Sequence, residues 1–308
     1  MDAYIFPGQG SQKVGMGAEL AGAESAARQT FEEVNDALGE DLFALMREGP
    51  EDQLTLTANA QPAIMAHSIA VLRVMGVDLA DKASFVAGHS LGEYSALCAA
   101  GGLDLSTTAK LLRLRGNAMQ DAVPVGEGGM AALLGVDVVR ATEIAEASIE
   151  GDEVCSVAND NDPGQVVVSG HKSAIDRLVG MAKDMGAKRA VPLPVSAPFH
   201  CSLMMPAQDR MAEAFEDVSI ATPSVPLMQN VTASASRDPA DIERRLIEQV
   251  TGRVRWRECL IAMEEAGVTR FVEVGGKVLA GMVRKTLPDA QTVSLVTLED
   301  IEAFAKNL

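Results

Sequence analysis

The chain has 308 residues, room for one large domain or two ordinary ones, and its 47% hydrophobic content is ample for a buried core. A formal net charge of −17 repels phosphate backbones, which argues against nucleic acid as a partner. Cys98, Cys155, Cys201 and Cys259 stand far apart without a CxxC pair, His67, His89, His171 and His200 show no metal spacing, and no apolar run approaches the roughly 18 residues of a membrane span. Free thiols, a cytoplasmic location, no metal and no membrane partner are therefore expected; the N-terminus also lacks the basic start of an export signal.

Tyr4-Ile5-Phe6 reads as a short buried strand stopped by Pro7-Gly8, followed by a Gly/Gln-rich loop through Gly17. Residues 24–38 read as a helix, and so do 59–75, where Ile64, Met65, Ile69, Leu72 and Val74 make a broad apolar face. Ser84 to Gly88 is a second strand that runs into His89-Ser90-Leu91-Gly92 and a helix from Leu91 to Ala100. A helix over 106–121 comes next, with Ser106 as its expected N-cap.

The pattern then changes. Strand 129–136, helix 137–149, strand 154–158, a turn-rich loop from Asn159 to Gly164, strand 165–169, helix 172–185 and strand 188–195 follow in order. That is β-α-β-β-α-β, the split βαβ or ferredoxin-like arrangement. The Pro-rich stretch from Pro192 to His200 leads back to strand Val225 to Asn230, helices 239–250 and 256–266, strand 269–274 and helix 277–286. Residues 240–285 hold nine Lys/Arg against seven Asp/Glu, a local net of +2 that either receives an acidic partner or is a solvated helix face.

Gly88-His89-Ser90-Leu91-Gly92 is a G-x-S-x-G between a predicted strand and a predicted helix. Such a turn pushes the serine out of the sheet and aims backbone N–H groups and a helix N-terminus at the same spot. The fold class expected is α/β: an α/β-hydrolase-like catalytic core of residues 1–125 and 197–308, with an inserted ferredoxin-like subdomain over 126–196. A serine nucleophile needs a base. His67 lies in an Ala/Ile-rich helix, His89 adjoins the serine and points away, and His171 sits on the small subdomain. His200 follows Ser90 in the order usual for α/β hydrolases and is the preferred base, a capping role at a 200–215 helix being the alternative.

Arg115 is the sharpest feature of the 106–121 helix. At about 100° per residue, Leu111, Leu112, Leu114, Ala118 and Met119 surround it, while Lys110, Arg113 and Asn117 occupy the opposite, solvated face. A guanidinium in an apolar stripe is costly unless it meets an anion, and no position three or four residues away supplies a carboxylate. It either captures a substrate carboxylate or pairs with a distant Asp or Glu. Gly8-Gln9-Gly10 permits close approach of backbone to a ligand, but it is neither a dinucleotide fingerprint nor a P-loop.

Phe6-Pro7-Gly8-Gln9-Gly10-Ser11-Gln12, Gly88-His89-Ser90-Leu91-Gly92-Glu93-Tyr94, Arg115-Gly116, Pro198-Phe199-His200, Gln229-Asn230-Val231 and Glu248-Gln249 together resemble the malonyl-CoA:acyl carrier protein transacylases of bacterial type II fatty acid synthesis. The resemblance runs over essentially the whole chain. It implies Ser90 as acylated nucleophile, His200 as base and acid, and Gln249 as the residue whose main-chain carbonyl orients His200. It further implies an oxyanion hole of Gln9 and Leu91, Arg115 as the malonyl carboxylate ligand, and Gln61, Met119, Phe199 and Asn159 near the substrate, with Phe199 crowding an α-methyl branch. Malonyl-CoA and acyl carrier protein are the implied partners of a monomer without cofactor, coenzyme A thioester being a substrate. Val274-Gly275-Gly276-Lys277 departs from the Gly-Pro-Gly turn common in the family and implies a looser turn. The competing readings are a malonyltransferase of a polyketide or malonate decarboxylase system, a serine thioesterase or carboxylesterase, and a carrier-docking module without activity.

Overall fold

The computed structural model describes residues 1–195 and 197–306; Ser196, the last residue of the expected subdomain, and residues 307–308 lie outside the described residues. In chain order the strands are β1 (Asp2–Phe6), β2 (Phe85–Gly88), β3 (Gly128–Leu134), β4 (Cys155–Asp162), β5 (Gln165–His171), β6 (Arg189–Pro192), β7 (Leu227–Gln229), β8 (Ser234–Ser236), β9 (Arg270–Val274) and β10 (Gln291–Leu295). The larger sheet runs β10-β9-β1-β2-β7-β8, parallel except for the edge hairpin β7-β8. Ala3 to Phe6 of β1 are wholly buried, as befits a central parallel strand covered on both faces. The smaller sheet is antiparallel with order β4-β5-β3-β6, and the helices Val138–Ala147 and Lys172–Met181 complete the β-α-β-β-α-β path. This is the α/β-hydrolase-like architecture with a ferredoxin-like unit.

The helices Thr57–Met75 and Leu105–Asp121 cross at close range. A Cβ on Gly116 would stand 2.5 Å from Ala58 Cα, so the contact requires glycine there. Pro62, inside the first helix, has no N–H for the Ala58 carbonyl. Arg113 Nη1 donates to that carbonyl instead, at 2.7 Å, and the same side chain pairs with Asn59 and Glu40. Arg113 is thus a half-buried clamp on the neighbouring helix, not the solvated residue its position on the helical wheel suggests.

Two further expectations change. The cap of the Leu105–Asp121 helix is Asp104, which accepts from Thr107 N–H at 2.8 Å, and Ser106 lies inside the first turn. The stretch expected as a loop from Asn159 is strand up to Asp162, and only Pro163-Gly164 turns. Its polar residues are buried because each finds a partner across the unit boundary. Asp160 pairs with Arg257, Asp162 with Lys285 and Asn161 with His89, while Asn159 forms a parallel bridge to Val254. Most cations of 240–285 are likewise spent on local ion pairs: Arg244 with Asp241, Arg245 with Glu248, Arg253 and Arg255 with Glu258, and Arg270 with Asp2.

The turn after β9 is held by a carboxylate. Glu273, fully buried, accepts from the N–H groups of Val278 (2.8 Å), Leu279 (3.0 Å) and Ala280 (2.8 Å). These are the orphan donors at the start of the helix Leu279–Thr286, where negative charge is favoured. Glu273→Gln, which exchanges an accepting oxygen for a donor, is expected to cost about 1–3 kcal/mol of stability. Urea denaturation followed by circular dichroism measures it, and an unchanged midpoint would remove this role.

Candidate active site

Ser90 sits where β2 gives way to the helix Leu91–Ala99, with φ 54° and ψ −112°, a strained backbone for a residue with a Cβ. Neighbouring glycines make the turn possible. A Cβ on Gly88 would lie 1.9 Å from the Gly92 carbonyl, and one on Gly92 would lie 2.3 Å from the Phe6 carbonyl. The turn is tied down by Asn230, whose Oδ1 accepts from Ser90 N–H at 2.8 Å and whose Nδ2 donates to Gly88 O at 2.7 Å.

Ser90 Oγ lies 2.8 Å from His200 Nε2, and His200 Nδ1 lies 2.9 Å from the Gln249 main-chain oxygen. A carbonyl only accepts, so Nδ1 carries the proton and Nε2 of the neutral ring is left to accept from the serine. Burial, and then the positive charge of Arg115, push the His200 pKa down to about 3. The ring therefore stands deprotonated at neutral pH. His200 also has positive φ, at 59°, so both partners of this hydrogen bond occupy unusual backbone conformations.

Arg115 is 1% exposed. Nη1 donates to Gln61 Oε1 at 2.7 Å; Nη2 donates to Gln249 Oε1 at 2.8 Å and to Ser90 Oγ at 3.1 Å. Its guanidinium carbon lies 5.6 Å from the Tyr94 ring centroid. Among the described residues no carboxylate forms an ion pair with it, and Nε is buried without a partner. Of the two readings of Arg115, the structural ion pair is absent.

Gln9, Gln61, Leu91, Met119, Asn159 and Phe199 line the same cavity, of about 300 Å³, with Ser90, Arg115 and His200. Gln61 Nε2 donates to Thr57 Oγ1 (2.9 Å), which in turn donates to Gln9 Oε1 (3.0 Å). Among the described residues neither Gln9 nor Leu91 has a hydrogen-bond partner for its backbone N–H, whereas that of Ser90 is taken. All ten residues singled out in the sequence thus converge, Gln249 from behind the cavity wall. His67 and His171 do not: His67 is buried elsewhere, and His171 Nδ1 accepts from Val154 N–H at 2.8 Å. His89 faces the cavity but is held by Asn161 at 2.8 Å, with its ring edge-on to Trp256. Sequence reasoning assigned no task to Asn230, Glu93 or Thr57. Asn230 and Glu93 stand in the stretches that carry the family resemblance, the one signal that marked them.

A strained serine bonded to a neutral imidazole, beside two unpartnered backbone N–H groups, defines a serine-dependent acyl-transfer enzyme. Residues 3–299 match the acyl transferase domain family, and the chain belongs to that family. It is similar to the malonyl CoA-acyl carrier protein transacylase of Haemophilus influenzae, 43% identical over 98% of this chain and 96% of that one. Among solved structures it resembles the acyl-carrier-protein-S-malonyltransferase of Bartonella henselae, 52% identical with a TM-score of 0.96 over 99% of this chain and 98% of the other. A malonyl-transacylase solved in complex with a type II PKS acyl-carrier protein is 39% identical, with a TM-score of 0.95, covering 100% of this chain and 99% of that one.

The depressed basicity of His200 has a direct readout. The unfolded imidazole takes a proton near 6.5 and the folded one only near 3, so His200 withdraws stability as pH falls through that window. By ¹⁵N NMR, His200 is expected to remain neutral and Nδ1-protonated down to about pH 5. Titration near the free-histidine value, or an Nε2-protonated ring, would contradict the geometry.

Proposed function

We propose that the protein transfers a malonyl group from coenzyme A to the phosphopantetheine thiol of an acyl carrier protein, supplying extender units for fatty acid synthesis. The observation that carries this reading is Arg115: a buried guanidinium, without a carboxylate partner among the described residues, one hydrogen bond from Ser90 Oγ. A carboxylate at the far end of a three-carbon acyl group would meet it while the thioester carbon meets the serine.

In the first half-reaction Ser90 Oγ attacks the thioester carbonyl as its proton passes to His200 Nε2. The Leu91 and Gln9 N–H groups hold the oxyanion, and the thiolate of coenzyme A leaves with the proton from His200. In the second, the carrier thiol gives its proton to His200 and attacks malonyl-Ser90; the ester C–O bond breaks and His200 returns the proton to Ser90 Oγ. Every step uses groups of this chain and the two substrates, and none calls for a resident cofactor. Phe199 stands directly before His200 on the cavity wall, and in this reading its ring crowds an α-methyl branch. We take the protein to act as a cytoplasmic monomer, with residues 126–196 as the unit inserted between 1–125 and 197–308. A carrier of polyketide synthesis is the second reading, favoured by the relative solved with such a carrier. Carrier preference separates the two. A carboxylesterase has no use for the Arg115 charge.

Intact-mass analysis after incubation with malonyl-CoA or acetyl-CoA tests the reading. A malonyl-sized adduct on Ser90 is expected, absent in Ser90→Ala, with little acetyl adduct. Arg115→Ala removes a charge-assisted hydrogen bond of about 1.5–3 kcal/mol and is expected to lower the preference for malonyl about 10- to 100-fold. Coenzyme A release without an adduct would instead indicate a hydrolase.

A further inference from the structure

Acyl transfer through Ser90 and His200 leaves one buried titratable group beside them without a task. Glu93 lies three residues after the serine on the helix Leu91–Ala99 and is 1% exposed. Burial pushes its pKa up to about 7, while hydrogen bonds from Gln249 and Asn230 and the charge of Arg115 pull the other way. Oε2 accepts from Gln249 Nε2 at 2.7 Å and from Asn230 N–H at 3.1 Å, and Oε1 is buried with no partner among the described residues. A helix position needed only for packing would be filled more favourably by an apolar side chain.

What the carboxylate touches explains its presence. The Gln249 amide faces two ways. Nε2 donates to Glu93 and, at 3.0 Å, to Ser90 O, while Oε1 accepts from Arg115 at 2.8 Å. If the amide turned over, its NH₂ would oppose the guanidinium, donor against donor. A carboxyl oxygen that carries no proton only accepts, so Oε2 holds the amide in the orientation that serves Arg115. Through Asn230 it also supports the residue that anchors Ser90 N–H.

We propose that Glu93 is a positioning residue for recognition of the acyl carboxylate: it fixes the Gln249 amide with Oε1 toward Arg115, and so holds the guanidinium beside Ser90 Oγ. This deepens the malonyl-transfer reading and rests on it. The Gln249 main-chain carbonyl, which orients His200, is a separate atom, so loss of Glu93 should affect donor choice more than the acylation chemistry.

The test compares rates of Ser90 acylation by malonyl-CoA and acetyl-CoA in full-length wild type, Glu93→Gln, Glu93→Asp, Gln249→Met and the double variant Glu93→Gln/Gln249→Met. Wild type that forms no malonyl adduct would remove the functional reading itself, whatever the variants do. With that adduct formed, the malonyl-to-acetyl ratio of kcat/KM in Glu93→Gln is expected to fall about tenfold, mainly through KM for malonyl-CoA. Glu93→Asp, which keeps the charge with shorter reach, is expected to be intermediate. Glu93→Gln should lower the malonyl-to-acetyl ratio no further in the Gln249→Met background, because donor choice runs through one amide. An unchanged ratio, equal losses toward both donors, or additive effects would each overturn the proposal. Should Glu93→Gln fail to fold, Glu93→Asp carries the test: a reduced ratio supports the proposal and an unchanged one overturns it.

Discussion

Burying a guanidinium costs several kcal/mol unless its N–H groups find acceptors, and Arg115 is buried with no carboxylate paired to it among the described residues. Two neutral amide oxygens, from Gln61 and Gln249, take most of the load. Neutral acceptors satisfy the hydrogen bonds but leave the charge in place. A positive charge therefore stands one hydrogen bond from Ser90 Oγ, and the Glu93 carboxyl reaches it only through the Gln249 amide. Bringing the Gln61 amide there demands that helices Thr57–Met75 and Leu105–Asp121 nearly touch. Gly116 removes the obstacle, and Arg113 repairs the carbonyl that Pro62 leaves unpaired. The same charge helps keep His200 neutral, so the guanidinium and the imidazole are coupled electrostatically.

That coupling accounts for a neutral partner behind His200. A carboxylate behind His200, as in a Ser-His-Asp triad, would stand near Arg115 and compete with the substrate for it. The Gln249 carbonyl fixes the imidazole tautomer without adding charge, and the side chain of the same residue presents its oxygen to the guanidinium. One residue at the end of the helix Pro239–Glu248 thus orients His200 with its backbone and Arg115 with its amide.

Ser90 and Arg115 were legible in the sequence for local reasons. The elbow is five consecutive residues whose glycines are required by contacts of 1.9 and 2.3 Å, and Arg115 breaks a helical periodicity that surrounds it. The order β-α-β-β-α-β also showed, since each element carries its own pattern. The orienting partner of His200 did not, because a main-chain carbonyl has no residue signature. Asn159 to Asp162 misled for the opposite reason: polar residues read as loop, yet here they are strand, buried by partners more than 70 residues away, as with Asn161 and His89. Arg113 misled because its acceptor exists only where a distant proline frees a carbonyl.

The polar strand also explains how two sheets make one cavity. Met130 and Asn159, from β3 and β4, and Leu193, just beyond β6, face Ser90 across the cavity, so its width depends on how the small sheet sits on the core. Hydrophobic contact alone tolerates sliding, whereas paired charges and backbone bridges do not. Asp160 with Arg257 and Asp162 with Lys285 each bury a carboxylate, 1% exposed, against a cation from the core. Such pairs contribute little net stability, but a displaced partner would strand a buried charge at a cost of about 3–5 kcal/mol. The Asp160 N–H bond to Val254 O, at 2.9 Å, and the Val254 N–H bond to Ala158 O, at 2.8 Å, set the register to a single residue. Asn159 lies between those two bonds. Its place on the cavity wall is therefore set by the joint between the sheets, which ties the shape of the cavity to the seating of the small sheet.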